Sequence, residues 1–273
     1  MRLLPVRHGE SVDNVAGLYA GSRDSSLTNH GILQAKRLGA HIAGHCARTG
    51  PIRHLFASNL QRAYRTAEAI ADACQTQAEA SGLLVAVDVI CVEELREKDY
   101  GSSEGKKFGA KESDDGSESH ESMQLRIGRF LDHHIDPIVD CLVTENATVV
   151  IVAHGIILNV LLKTLLLRYP PSKSSLFSPL FRERPGSEHL APWSNTGVLQ
   201  ASFELSGSNA SPGAHRAGMI HMIVEHVNNL DHLQGLKKTR GGIGSAKFDS
   251  RQRTMDSFLA LPVKKRKFND AED

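Results

Sequence analysis

Apolar residues along this chain fall into short runs separated by stretches of helical spacing. Residues 2–6 (RLLPV) stop at the charged Arg7, the pattern of a buried parallel strand whose C-terminal end faces a crevice. From Thr28, a helix N-cap, to about residue 44, Ile32, Ala35, Leu38 and Ile42 recur on one helical stripe, with Lys36 and Arg37 on the water side. IRHLFAS (52–58) predicts a second strand and residues 60–74 a helix that packs through Ala63, Ala67, Ile70 and Ala71. Residues 83–92 are nearly continuously apolar and β-branched, which predicts a strand covered on both sides. A helix over 120–143 offers Leu125, Phe130, Ile138 and Leu142 for packing, and Pro137 should kink or divide it. TVVIVAHG (148–155) is the strongest strand signal, and IILNVLLKTLLL after it predicts a buried helix. GVLQASFEL and MIHMIVEHV add late strands.

Strands alternating with helices predict an α/β fold, a three-layer α/β/α sandwich with a mostly parallel sheet, as one large domain over residues 1–230. Residues 98–119 are rich in Gly, Ser, Lys and Glu, and 170–194 in Pro and Ser. Both are expected as exposed loop insertions. Beyond residue 231 periodicity fades and charge rises, so 231–273 is expected as a flexible tail with a basic cluster.

Composition narrows the classes. An apolar share of 40% suits a globular core, and a formal net charge of +1 gives no overall field for nucleic acid or membrane surface. Cys46, Cys74, Cys91 and Cys141 show neither zinc nor disulfide spacing, and no apolar run reaches the roughly 18 residues of a membrane span. A soluble intracellular protein, without membrane contact, is the expectation.

The charged end of the first strand carries the chemistry. RHGES sets the guanidinium of Arg7 beside the imidazole of His8, with Gly9 permitting close approach of backbone to ligand. A neutral imidazole is a competent nucleophile toward phosphorus, and arginine matches phosphoryl oxygens with a planar fork. His154, at the end of the strongest strand, is also followed by glycine, so two strand-end histidines would converge on one crevice.

Four separated motifs carry a family resemblance. RHGES has Asn14 six residues after His8 and is followed by DSSLTNHGILQA (24–35). SNLQRAYRTAEAI (58–70) is similar to S-x-L-x-R-A-x-x-T-A, LREKDYGSSEG (95–105) to L-x-E-x-x-x-G-x-x-E-G, and VAHG contains His154. NTGV (195–198) is similar to a later family segment. In that order they resemble the histidine phosphatase superfamily, whose fold is called phosphoglycerate mutase-like. The resemblance implies that His8 attacks phosphorus, that Arg7, Arg62 and His154 bind the phosphoryl oxygens, and that Glu97 protonates the leaving oxygen and then serves as base for water. Asn14 and Ser58 are either phosphate contacts or loop and turn hydrogen bonders. No metal and no cofactor is implied. The expected substrate is a phosphorylated small molecule or a phosphoprotein, and the expected reaction is phosphomonoester hydrolysis through a phosphohistidine. The alternatives are a phosphoglycerate mutase-type phosphotransferase, against which the absence of an early tryptophan counts, and an inactive binding module of the same fold.

Other groups have plainer readings. Glu104 is expected in a structural loop role, His133 and His134 as solvated, and Asp114, Asp115, Glu118 and Glu121 as a solvated acidic face. The tail holds two peptide-like signals. Lys264, Lys265, Arg266 and Lys267 in PVKKRK resemble a nuclear import cluster that pairs with a carrier, which predicts the nucleus, with cytoplasm also open. Gln252, Met255, Phe258 and Leu259 are spaced like the peptide that replication proteins insert into the sliding clamp, with Leu259 in place of the usual second aromatic.

Overall fold

A computed structural model describes residues 1–82, 86–110, 116–171, 191–205, 220–238 and 242–249. The expected insertion at 170–194 and both tail peptides, Gln252 to Leu259 and Lys264 to Lys267, lie wholly or mostly outside the described residues.

Six strands form one sheet: β1 (Arg2–Arg7), β2 (Ile52–Ser58), β3 (Val89–Val92), β4 (Thr148–Ala153), β5 (Val198–Leu205) and β6 (Ile220–Asn229). Their order is β3-β2-β4-β1-β5-β6, parallel from β3 through β1, with β5 antiparallel to both of its neighbours. The helices are α1 (Val12–Ala16), α2 (Asn29–Thr49), α3 (Gln61–Ala80), α4 (His120–Phe130), α5 (Asp136–Leu142) and α6 (Gly155–Arg168). Because strand side chains alternate, β4 feeds two cores: Val150 and Val152 pack with Leu38, Ile42 and Ile70 from α2 and α3, while Val149 and Ile151 pack with Ile127, Phe130 and Leu161 from α4 and α6. The three-layer sandwich follows from this two-sided burial.

The site's position follows from topology. β1 and β4 are adjacent and in register, Arg7 opposite Ala153, yet α2 after β1 and α6 after β4 cover opposite faces. The chain therefore parts between these two strand ends, leaving the crevice where open α/β sheets bind ligands.

Several expectations change. Residues 86–88 are not strand and β3 is a four-residue edge strand on which only Val92 is buried, since β2 is its single neighbour in the sheet. Leu125 is 68% exposed, because the buried stripe of α4 runs through Met123, Ile127 and Phe130 and leaves it on the far side. The division near Pro137 is present as a π turn, Leu131–Ile135, that links α4 to α5 and absorbs the hydrogen bond that proline cannot donate. His134 is half-buried against Phe56 and Phe130, whereas His133 is exposed.

Part of the segment expected as tail is tied to the domain. His232 is buried and its Nε2 meets Thr196 Oγ1 at 2.9 Å, while Lys238 pairs with Glu10. Asn29 N donates to Ala246 O and Phe248 N to Leu27 O, so residues 246–248 run beside the entry to α2, while Gln234 O accepts from Arg37 farther along that helix. Their signals are single polar contacts and a short bridge, which carry no sequence periodicity. No helix among the described residues is long and apolar enough to cross a membrane.

Candidate active site

His8 follows β1 directly, its N–H bonded to Ala153 O at 3.0 Å, and its ring is buried. The turn beyond it needs glycine on both sides of a crossing: a Cβ on Gly9 would stand 2.7 Å from Gly31 O, and one on Gly31 would stand 2.1 Å from Glu10 O. Gly9 N is further tied to Thr66 Oγ1 at 3.0 Å. His8 Nδ1 lies 2.6 Å from Gly9 O, and a carbonyl can only accept, so Nδ1 carries the proton and Nε2 keeps a bare lone pair. Burial, with Arg62 and Arg7 adding to it, holds the imidazole pKa well below the ordinary histidine range.

His154 sits beside it, ring centroids 5.0 Å apart, at the junction of β4 and α6. Arg62 Nε donates to its Nδ1 at 3.2 Å, which fixes the proton on Nε2, and Nε2 then donates to Ser58 Oγ at 2.9 Å. Burial, followed by Arg62 and His8, keeps this ring neutral as well.

Arg62, near the start of α3, is 1% exposed. Besides His154, its Nη1 reaches Arg23 O at 2.7 Å and its Nη2 reaches Gly21 O at 2.8 Å. Three of five N–H groups are thereby used, and each terminal nitrogen retains one uncommitted among the described residues. Burial pulls its pKa down to about 10, partly offset by Glu97, so it remains a cation at neutral pH. Arg7 donates from Nη1 to Trp193 O at 2.6 Å, while its Nε is buried without a hydrogen-bond partner among the described residues.

Glu97 caps α6. Oε2 accepts from Ile156 N at 3.2 Å, and Oε1 from Ile157 N at 3.2 Å and Lys98 N at 2.9 Å, satisfying orphan donors of the helix's first turn. The turn that carries Glu97 is held by Arg126 on α4, which donates to Arg96 O at 2.7 Å and to Glu97 O, and whose guanidinium meets both carboxylate oxygens of Glu118 at 2.8 and 2.9 Å. Glu118 is therefore a half-buried strut and not part of a solvated face. Neither residue has a functional signal in the sequence, because an acid just before the N-cap Ser119 and a base eight residues later on α4 form no local helical pair.

Arg7, His8, Asn14, Arg62 and Glu97 line one cavity of about 310 Å³, with Trp193 and Asn159 beside them. Asn14 Oδ1 is used by Ser11 N and Asn195 Nδ2, so the hydrogen-bonding reading holds: it closes the capping box of α1, and the residue also lines the pocket. Ser58 and His154 are not in the lining. Ser58 is fully buried, with Oγ taken up by His154 and Leu60 N, so its place is to orient His154 and not to touch a ligand. His154, expected on the phosphoryl oxygens, has both ring nitrogens engaged and acts on the pocket through Arg62. Glu104 holds the loop structure as expected: it accepts from Ser22 N, Ser22 Oγ and Tyr100 N, stapling residues 100–104 to the loop whose carbonyls hold Arg62.

Asn159 belongs to none of the sequence motifs. Its Oδ1 accepts from Ala191 N at 2.8 Å and Trp193 Nε1 at 3.2 Å, fixing the segment whose carbonyl holds Arg7. A lone asparagine inside an apolar helix is the one signal that could have found it. Among the described residues no group of three His, Cys, Asp or Glu side chains could hold a metal ion.

The family model described as histidine phosphatase superfamily (branch 1) matches residues 3–179. A probable phosphatase of Schizosaccharomyces pombe is 30% identical over 267 residues, 94% of this chain and 79% of that protein. A probable phosphoglycerate mutase of Erwinia tasmaniensis is 34% identical over 178 residues, 59% of this chain and 73% of that protein. Among solved structures, a mycobacterial glucosyl-3-phosphoglycerate phosphatase matches 83% of this chain and 98% of its own with a TM-score of 0.58 at 21% identity, a likeness of fold.

Proposed function

Since the chain belongs to the histidine phosphatase superfamily, we propose that it hydrolyses phosphomonoesters through a covalent phosphohistidine on His8. The observation that carries this reading is the bare Nε2 of His8 in a pocket lined by two arginines. Nε2 attacks phosphorus as the bond to the ester oxygen breaks, and Glu97 gives that oxygen a proton. Water then attacks the phosphohistidine, returns a proton to Glu97, and inorganic phosphate leaves with His8 neutral again. Arg62 and Arg7 stabilise the charge spread over the phosphoryl oxygens without reorganising, because three partners already hold Arg62. The orphaned Nε of Arg7 supports the same ligand, since a buried donor without a partner costs free energy that an anionic oxygen would recover.

Hydrolysis ranks ahead of mutase activity because the S. pombe relative named as a phosphatase aligns over 94% of the chain, against 59% for the E. tasmaniensis relative named as a mutase. The complete set of pocket groups favours an enzyme over an inactive module. Purified chain in chelator should hydrolyse an aryl phosphate, and His8→Ala should not; equal rates would overturn the proposal.

The tail peptides carry separate proposals, nuclear import through Lys264, Lys265, Arg266 and Lys267 and clamp binding through Gln252, Met255, Phe258 and Leu259. Cytoplasmic fluorescence of a tagged intact chain would sink the first. The second fails if a 248–273 peptide and its Met255→Ala, Phe258→Ala form give the same signal with the clamp.

A further inference from the structure

Part of the wall of the same cavity is apolar. Leu18, Tyr100, Phe108, Ile156 and Trp193 line it together with the arginines, the Trp193 carbonyl accepting from Arg7, and Phe108 is 60% exposed. The wall is built and not incidental. Tyr19 stacks behind it, 4.7 Å from the Tyr100 ring and edge-on to Phe108 at 4.9 Å, and its hydroxyl accepts from Gly109 N. Backbone bonds from Tyr19 N to Lys106 O, Gly105 N to Tyr19 O and Phe108 N to Gly17 O lace the two segments together. The amide oxygen of Asn159, the polar side chain nearest in sequence to Ile156 in that lining, accepts from Ala191 N and Trp193 Nε1, and its Nδ2 donates to Gly155 O.

The charges in the lining point the same way. Among the described residues the cations of the cavity are Arg7 and Arg62, and its acidic side chain is Glu97. Lys98 is outside the lining, its ammonium 5.5 Å from the Tyr100 ring centroid. A substrate carrying a carboxylate beside its phosphate would bury that second anion against aromatic rings, with both guanidiniums of the described lining already on the phosphoryl group.

Resting on the phosphatase reading above, we infer that the pocket takes small phosphomonoesters whose leaving group is an uncharged aromatic or aliphatic alcohol, with Tyr100 and Phe108 setting that preference. A cavity of about 310 Å³ is small for a ligand site, with room for a phosphoryl group and a one- or two-ring leaving group. Phosphoglycerates are disfavoured by the wall, not by the phosphate end.

Trp193 is the single tryptophan and lines the cavity, so its emission reports occupancy. The full chain carrying His8→Ala is titrated with 3-phenylpropyl phosphate and with 3-phosphoglycerate. The first should bind tighter by about tenfold or more, the scale of burying a few apolar carbons, and Phe108→Ala should bring the two dissociation constants together. Equal or tighter binding of 3-phosphoglycerate, or a ratio that Phe108→Ala leaves unchanged, overturns the inference. Should His8→Ala not fold, wild type with the matching phosphonates gives the same comparison. If the preference holds but wild type neither hydrolyses 3-phenylpropyl phosphate nor takes phosphate onto His8, the catalytic proposal falls and the pocket assignment stands.

Discussion

At the inner end of the pocket Arg62 and Glu97 are each held by three partners, whereas at the mouth Phe108 and Ile156 present bare apolar surface to solvent. Charge inside is preorganised, so its energetic return comes when charge moves during reaction. The mouth offers only apolar area, which binds ground state and transition state alike. Inner substitutions should therefore lower kcat, and outer ones should change KM and selectivity.

The sharpest break is Arg62→Ala. It removes a positive charge and leaves His154 Nδ1, Gly21 O and Arg23 O without their donor. Steady-state kinetics should show kcat/KM down by about a thousandfold or more, and Arg62→Lys should recover little of it because a point charge cannot span three acceptors. A Lys variant near wild-type activity would mean that the fork geometry is irrelevant. Glu97→Gln comes next, with a loss of about a hundredfold or more on alkyl phosphates and a smaller one on aryl phosphates, whose leaving oxygen needs a proton less. Equal losses on both would remove Glu97 as the acid.

A pH titration tests the inner end as a whole. His8 and His154 are held neutral in the fold, but their unfolded forms take up protons below about pH 6.5. Unfolding then consumes protons, so stability falls as pH drops from about 6.5 toward the depressed folded values, by up to about 1.4 kcal/mol per pH unit for each ring. Denaturant melts between pH 7.5 and 5.5 should show this slope, and His154→Gln should flatten it by its share. His232, pulled down to about 4 mainly by burial, adds in the same sense. A flat profile would mean that the two rings are not buried as described. Activity, in turn, should persist below pH 6.5 because His8 stays unprotonated there.

Smaller effects come from the supports. Arg126→Ala frees the turn under Glu97 and should cost about tenfold in kcat with KM little changed, an estimate in keeping with loss of positioning. Its leaving-group dependence should copy that of Glu97→Gln, which a merely destabilised fold would not do.

What the sequence made legible follows the same division. β1, β2, β4 and α2 were readable because apolar periodicity and the Thr28 cap are local signals, and Arg7, His8, Arg62 and Glu97 were readable through motif spacing. β3 was overread, since an apolar run does not say whether a strand sits at the centre or the edge of a sheet. Ser58, open in the sequence between ligand contact and turn hydrogen bond, and His154, which the resemblance puts on the ligand, both lie outside the lining, because spacing places a residue near a site without saying which layer it occupies. Glu118, Arg126, Asn159 and His232 escaped because each acts through a partner distant in sequence, a backbone carbonyl or a single hydroxyl, and such pairings exist only once the chain is folded.

The central claim is that His8 carries the phosphoryl group. Mixing the full chain with a radiolabelled phosphomonoester, quenching within one turnover in alkali and mapping the label decides it. The account predicts an acid-labile, alkali-stable phosphate on the peptide that contains His8, absent in His8→Ala. Steady turnover with no label on that peptide, or a label that survives in His8→Ala, would contradict it.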